Sequence, residues 1–111
     1  MALQNITSAL LNFRDARDWS QFHDPRNLAL AISLEAAELN ELFLWKKDSE
    51  TELIDKERLK EELADVLAYS FLLAERCGFD VEEIVMDKIR KNEEKYPVNK
   101  SRGSARKYTD L

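Results

Sequence analysis

The sequence predicts an all-α fold, and three observations support this prediction. Apolar residues recur at helical spacing along most of the chain. The 111 residues include only two glycines and two prolines, too few for the turns of a hairpin-rich β fold. Capping side chains and these few breakers divide the pattern into four segments. We therefore expect one domain, a four-helix bundle-like subunit over residues 1–97, to which an extended basic tail, residues 98–111, also contributes.

The first two helices are predicted from apolar periodicity and a capping signal. The first lies near residues 3–18, where leucine, isoleucine and phenylalanine recur every three or four positions. Asp24 followed by Pro25 is typical of an N-cap with proline in the first turn. The second helix should therefore begin there and continue to about Lys47, before the polar segment 47–51.

The third and fourth helices are bounded by clearer signals. The third should run over residues 55–77, because Gly78 follows where a left-handed C-terminal cap is favoured. Asp80 and Glu83 have the spacing of a capping box and open the fourth helix. Pro97 must end it, because proline cannot continue a helix interior.

Composition excludes several classes of site. With two glycines, the chain has no glycine-rich dinucleotide turn and no Walker-A loop. A single cysteine, Cys77, forms neither an internal disulfide nor a thiolate zinc site. No apolar run approaches the roughly 18 residues of a membrane span, and the N-terminus lacks the pattern of a signal peptide. We expect a cytoplasmic protein with no membrane partner.

The charge distribution is uneven. A net charge of −5 argues against a nucleic-acid polymer as partner, since neutralising many phosphates requires a basic face. The tail, residues 98–111, nevertheless has a net charge of +3, and the rest of the chain has a net charge of −8. Such a tail is either a solvated end or the contact for one small polyanion.

Two pairs of acidic residues are the main candidates for chemistry. Glu35 and Glu38 lie on the second helix, and Glu62 and Asp65 on the third. A spacing of three places both acids of a pair on one helix face. The first pair interrupts apolar stripes and the second borders one, positions where an unpaired carboxylate is costly. A divalent cation would resolve this cost, and an all-oxygen ligand set favours Mg²⁺ or Mn²⁺ over zinc.

Other interpretations of these acids remain open from the residues alone. They could form salt bridges with Lys and Arg at helix edges, as most helical acids do. A di-iron carboxylate centre is excluded, because it would need Glu-x-x-His pairs and the one histidine, His23, follows Ser20 at that spacing.

Cationic and aromatic residues near helix ends suggest a nucleotide. Lys88 and Asn92 stand one turn apart on the fourth helix and could meet phosphates, or the lysine could simply extend along an amphipathic surface. Trp19, His23 and Trp45 lie where the first two helices should end. Aromatic rings stack on bases, although core packing is the common role of a tryptophan.

The order of the acid pairs, Glu35-x-x-Glu38 and then Glu62-x-x-Asp65, resembles the signature of the MazG-type all-α nucleoside triphosphate pyrophosphohydrolases. The resemblance extends from about Phe13 to the C-terminus and is most similar to the dCTP pyrophosphatase branch. The segments that carry it are Arg17-Asp18-Trp19-x-Gln21-Phe22-His23-x-Pro25-Arg26-Asn27-Leu28, Glu41-Leu42-Phe43-x-Trp45-Lys46, Glu61-Glu62-Leu63-Ala64-Asp65-Val66-Leu67, Lys95-Tyr96-Pro97-Val98 and Ser101-Arg102-Gly103-Ser104-Ala105-x-Lys107-Tyr108-Thr109-Asp110-Leu111.

This resemblance implies an activity and a set of site residues. The activity would be Mg²⁺-dependent hydrolysis of dCTP, or of modified dCTPs, to dCMP and pyrophosphate, which removes unwanted nucleotides from the pool. Mn²⁺ would be a substitute metal, and Glu38 is our choice for the residue that orients the attacking water. Glu35, Glu38, Glu62 and Asp65 would bind the metal. The residues that would line the base and sugar pocket are Trp19, His23, Trp45 and Tyr69. The residues that would contact the phosphates are Lys88, Asn92, Lys95 and Tyr96, with Arg102 and Lys107 from the tail.

The resemblance also implies assembly and leaves two alternatives. Members of the family form homo-oligomers, commonly tetramers, with sites near subunit contacts. One departure is Ala36-Ala37, where relatives often carry a glycine, and the linker at residues 48–53 is short. The alternatives are a broad-specificity or dUTP-directed pyrophosphohydrolase, and a helical interaction module whose acids only form salt bridges.

Overall fold

The computed structural model describes residues 2–111, and all regular structure among them is helical, which confirms the all-α prediction. Within that range, no helix is both long and apolar enough to cross a membrane. The helices are α1 (Ala2–Ala16), α2 (Pro25–Glu41), α3 (Lys56–Arg76), α4 (Val81–Lys95) and the short α5 (Val98–Ser101). Short 3₁₀ helices occupy Ser20–Phe22, Asp48–Leu53 and Tyr108–Asp110.

The chain divides into two compact units at Gly78. The first unit, Met1–Gly78, contains α1, α2 and α3, and the second, Phe79–Leu111, contains α4 and α5. The assignment of residues 1–97 and the tail to one domain stays a prediction.

Three aspartates cap α2, α3 and α4. The Asp24 carboxylate accepts a hydrogen bond from the backbone N–H of Asn27 at the start of α2, with proline in its first turn. Asp55 caps α3 by accepting a hydrogen bond from the backbone N–H of Glu57. Asp80 caps α4 by accepting from the N–H of Glu82 rather than that of Glu83, so the cap forms without the predicted capping-box geometry.

Gly78 takes the predicted left-handed conformation after α3, with φ of +75°. Its N–H donates to the carbonyl of Glu75, and the N–H of Cys77 donates to that of Leu73. Glycine suits this position because a Cβ makes positive φ unfavourable.

The second helix is shorter than predicted, because α2 ends at Glu41 and not near Lys47. The N–H groups of Phe43 and Leu44 donate to carbonyls three residues back, so the last turns tighten instead of continuing the helix. Trp45 then adopts a left-handed backbone, with φ of +63°. This conformation is rare for a bulky residue, and it turns the chain out of the helix.

The tail was wrongly predicted to be extended. Pro97, with an extended ψ of 142°, ends α4 and opens α5, because the N–H of Ser101 donates back to its carbonyl. Further along, Tyr108 lies with its ring 5.9 Å from that of Tyr96 and 4.8 Å from the Lys95 ammonium. These aromatic contacts fold the tail onto the end of α4, and local periodicity does not reveal them.

In the first unit, α3 packs mainly against α2 and also against α1. Four apolar side chains in residues 2–111 are buried: Leu28, Leu42, Leu72 and Ala74. Many large apolar side chains stay exposed, including Leu34 at 68% and Leu63 at 47%. The core is therefore small for the number of apolar residues in the chain.

We predict that Asp24→Ala lowers the free energy of unfolding by about 1 kcal/mol, because it removes the cap of α2. Asp24→Asn is the matched control, since asparagine is an equally good cap and should unfold near the wild-type temperature. Thermal unfolding followed by circular dichroism measures both. Equal destabilisation by the two variants would show that the carboxylate charge matters and not the cap.

Candidate metal centre and adjoining cavity

Acidic residues from α2 and α3 meet where the two helices pack together. One carboxylate oxygen from each of Glu35, Glu62 and Asp65 lies within 4.8 Å of the others. Glu38, one turn after Glu35, is close enough to both Glu35 and Glu62 to raise the pKa of each. The structure thus brings together all four acids that sequence analysis singled out, three in a tight cluster and Glu38 beside them.

Like charges this close perturb one another. Loss of solvent around its carboxyl, followed by the closeness of Glu38, Asp65 and Glu62, raises the pKa of Glu35 to about 7. Loss of solvent and then the charge of Glu38 also raise the pKa of Glu62, and Arg58 opposes this rise. At neutral pH Glu35 is therefore protonated in a substantial fraction of molecules, whereas an isolated carboxyl would have released its proton.

The cluster has the chemistry of a divalent-cation site. Glu35 and Glu62 each have one buried carboxylate oxygen, Oε2, with no hydrogen-bond partner. Within residues 2–111, none of the four acids forms a salt bridge with Lys or Arg, so the salt-bridge interpretation lacks the partners it needs. An all-oxygen donor set with unsatisfied oxygens suits a hard cation such as Mg²⁺ or Mn²⁺.

A cavity of about 260 Å³ adjoins the acid cluster in the first unit. Asp65 belongs to both, so the cavity and the cluster adjoin at this residue. Its volume is close to the lower end of the roughly 300–1,000 Å³ typical of small-molecule sites. The lining side chains are Leu10, Phe13, Arg14, Trp19, His23, Asp65, Ala68, Tyr69 and Leu72.

Aromatic rings in edge-to-face contact shape this cavity. The Phe13 and Trp19 rings are 5.8 Å apart, and the His23 and Tyr69 rings 6.5 Å apart. Loss of solvent, followed by the charges of Glu35, Asp65 and Glu38, raises the pKa of Tyr69. Its hydroxyl therefore stays protonated and able to donate a hydrogen bond.

His23 is held in its neutral form. Loss of solvent and then the positive charge of Arg14 lower the pKa of His23. Its Nδ1 atom is buried without a hydrogen-bond partner. The imidazole therefore has a polar atom that is free to form a hydrogen bond with a ligand.

The remaining predicted contacts lie elsewhere in the chain. Trp45 is 91% exposed and does not line the cavity. The six residues predicted to meet phosphates are all in the second unit: Lys88, Asn92, Lys95, Tyr96, Arg102 and Lys107. Of these, Lys95 and Tyr96 gather around the Tyr108 ring.

Arg14 is a lining residue that the sequence analysis missed. It follows Leu10 by four positions, so it places a charge at the next position of the apolar stripe of α1. The same signal drew attention to Glu35 and Glu38 on α2. Applied to α1, it would have identified Arg14.

Comparisons with known proteins agree with this architecture. The MazG-like family matches residues 30–111. The chain is 50% identical to dCTP pyrophosphatase 1 of Mus musculus and 44% identical to that of Homo sapiens, in each case over 98% of this chain and 67% of the relative. It also resembles the crystal structure of a pyrophosphatase from Archaeoglobus fulgidus, with a TM-score of 0.82 and 40% identity over 87% of this chain and 94% of that one. The chain therefore belongs to the MazG-like family.

Proposed function

We propose that this protein hydrolyses dCTP to dCMP and pyrophosphate with the help of Mg²⁺, and so removes unwanted nucleotides from the cytoplasmic pool. The observation that carries the proposal is that the acid cluster adjoins an aromatic cavity at Asp65. A metal-bound triphosphate and a base require two such adjacent environments. The similarity to dCTP pyrophosphatases indicates which base to test first.

Glu35, Glu38, Glu62 and Asp65 would hold Mg²⁺, and Mn²⁺ could replace it. The ion would offset the negative charge of the triphosphate and polarise its oxygens. It would also satisfy the buried oxygens of Glu35 and Glu62 that have no partner in the protein.

Glu38 orients the attacking water in this proposal. Glu38 is solvent-exposed, so water reaches it, and it lies close enough to Glu35 and Glu62 to raise the pKa of both. A carboxylate in this position can accept the proton that water loses as it attacks phosphorus.

The cavity would take the base and sugar. Trp19 offers an aromatic surface for the base, since stacking of this kind contributes roughly 1–3 kcal/mol per base. Neutral His23 and the protonated Tyr69 hydroxyl supply polar atoms that can bind the sugar or the base edge.

Six further residues are proposed to bind the triphosphate. Lys88, Asn92, Lys95, Tyr96, Arg102 and Lys107 are proposed for this role. Lysine and arginine side chains suit phosphate oxygens, and the amide and phenol can donate to them as well. The net charge of +3 over residues 98–111 supports the proposal.

We also propose that the protein is a homo-oligomer, with four subunits as the first expectation. Four buried apolar side chains are few for residues 2–111, whereas Leu34, Leu63 and Leu67 are each about half exposed or more. Large exposed apolar surface is typical of subunit contacts. In such an assembly, Trp45 would reach the site of a neighbouring subunit, because it does not line the cavity of its own chain.

A substrate panel with and without Mg²⁺ tests the proposed function. We expect release of pyrophosphate from dCTP and modified dCTPs, loss of turnover in EDTA and recovery with Mn²⁺. Turnover of dCTP in chelated buffer would contradict the metal assignment. Equal rates on purine and pyrimidine triphosphates would favour the broad-specificity alternative, and a higher rate on dUTP the dUTP-directed one. A melting temperature indifferent to both Mg²⁺ and nucleotide would favour an interaction module.

We predict that Glu38→Gln and Asp65→Asn stay folded and lower kcat for dCTP by about a hundredfold or more, because each removes a charge from the acid cluster. Steady-state kinetics and circular dichroism measure turnover and folding separately. Glu57→Gln is the matched control: Glu57 lies on α3 but is paired only with the exposed Lys60. Its turnover should equal that of the wild type. Near-normal kcat in Glu38→Gln would remove that residue from the mechanism.

Metal affinity should fall as pH drops below about 7. The metal-free site holds a proton on Glu35, whose pKa is about 7 in the folded protein, and the metal must displace it. Each pH unit below 7 should weaken Mg²⁺ or Mn²⁺ binding about tenfold for one displaced proton. Calorimetric titrations at pH 5.5, 6.5 and 7.5 measure this slope, and a pH-independent affinity would contradict it.

The same shift predicts the stability of the metal-free protein. Because the folded-state pKa of Glu35 is raised above its ordinary value of 4.5, its stabilising contribution is complete below pH 4.5 and is lost as pH rises through 7. Glu35→Gln carries no titrating proton, so its melting temperature in EDTA should fall less between pH 5 and pH 8 than that of the wild type. Parallel curves for the two proteins would contradict this prediction.

A further inference from the structure

Arg14 is the one cationic side chain among the residues that line the aromatic cavity. Its side chain is only 17% exposed. Partly burying a guanidinium beside aromatic and aliphatic side chains is unfavourable unless its N–H groups find acceptors. The catalytic scheme above uses the acids, His23 and Tyr69, and gives Arg14 no role.

Two carboxylates hold the Arg14 guanidinium in place. Its Nε donates to Asp15 Oδ1 at 2.8 Å, and one Nη lies 2.8 Å from the same oxygen. The other Nη lies 3.7 Å from Glu75 Oε2 on α3, within ion-pair range but beyond a hydrogen bond. The Arg14 side chain makes no further hydrogen bond to any residue in the range 2–111. Of its five N–H groups, some on the Nη atoms therefore still lack acceptors.

The positive charge of Arg14 acts on His23, another residue that lines the cavity. It contributes, after loss of solvent, to the lowered pKa of His23. A base in this cavity would therefore meet one charged donor pair, from Arg14, alongside neutral polar groups from His23 and Tyr69.

Pyrimidine bases differ in the edge that they present to such a donor pair. Cytosine offers two adjacent acceptors, N3 and O2. Uracil and thymine carry a hydrogen on N3, so the same position is a donor. A planar guanidinium matches two adjacent acceptors and opposes an N–H at either position.

We infer that Arg14 is the residue that selects cytosine over uracil and thymine, by donating hydrogen bonds to N3 and O2 of the base. Asp15 and Glu75 act as positioning residues that fix the orientation of the guanidinium. This inference rests on the proposed function, which supplies the nucleotide and places its base in the cavity.

The test compares binding of dCMP and dUMP, measured by calorimetry without metal so that no hydrolysis is needed. We expect the wild type to bind dCMP about tenfold or more tightly than dUMP, because a wrong base leaves a charged donor unpaired. Arg14→Ala should bring the ratio near one. Arg14→Lys keeps the charge and loses the planar fork, so its ratio should be intermediate.

Arg14→Gln replaces two charged donors with one neutral donor and one acceptor. Such an amide can pair with N3 and the N4 amino group of cytosine or with O2 and N3–H of uracil, so this variant should bind dCMP and dUMP about equally. The ratio of kcat/KM for dCTP to that for dUTP should change in the same order across the variants. Because three Arg14 variants are compared, loss of folding in one of them leaves the others to decide.

Two controls separate base selection from a structural role. Glu75→Gln removes an ion-pair partner and leaves the guanidinium. It should therefore lower the melting temperature and keep most of the preference for dCMP over dUMP. Arg76→Ala removes an exposed arginine of α3 that does not line the cavity, and it should change neither. If Arg14 only joins α1 to α3, Arg14→Ala and Glu75→Gln will destabilise alike and both will keep the wild-type ratio.

The inference is overturned if Arg14→Ala retains the wild-type ratio, or if the wild type binds both monophosphates equally. Failure of the proposed function is a separate result. A protein that discriminates dCMP from dUMP but never hydrolyses dCTP would refute the activity and support the role of Arg14. A protein that hydrolyses dCTP and dUTP equally well would refute the role of Arg14 and keep the metal-dependent chemistry.

Discussion

Mutual repulsion among the carboxylates of α2 and α3 is the constraint on which the rest of the site depends. One oxygen from each of three of them lies within 4.8 Å of the others. Loss of solvent, together with the closeness of the other acids, raises the pKa of Glu35 to about 7. Helix packing alone would favour apolar side chains there. The two helices therefore accept an electrostatic cost at their contact, and a bound cation would convert that cost into affinity.

Helix α3 connects this charged contact to the aromatic cavity. Glu62, Asp65, Tyr69 and Leu72 follow one another at spacings of three and four, so they form one continuous face. The acids lie toward the start of that face and contact α2, and Tyr69 and Leu72 continue it into the cavity. A triphosphate and its base could therefore be recognised along a single rigid helix, which fixes the distance between the two environments.

Local signals were sufficient for much of this structure. The Asp24 cap and the left-handed Gly78 depend on a few neighbouring residues, and both were predicted correctly. The acid pairs were found because charges interrupt apolar stripes, and the convergence of α2 and α3 brings them together. Which residues act in catalysis stays a prediction.

The differences from prediction have non-local or cooperative causes. α2 ends early because its last turns tighten and Trp45 adopts a left-handed backbone, which no single residue signals. The tail folds because Tyr108 finds partners near Pro97, ten or more positions back. Arg14 was overlooked because its importance comes from a cavity assembled by separate elements of the first unit, and α1 is one of them.

The small core has a consequence for how the protein persists in a cell. Four buried apolar side chains give a single chain little hydrophobic free energy with which to oppose conformational entropy. Under the proposed assembly, folding and association would be one process, and the fraction of folded protein would depend on its own concentration. When expression falls, the amount of folded enzyme would then fall more steeply than the amount of chain produced, because dilute subunits would unfold and be degraded.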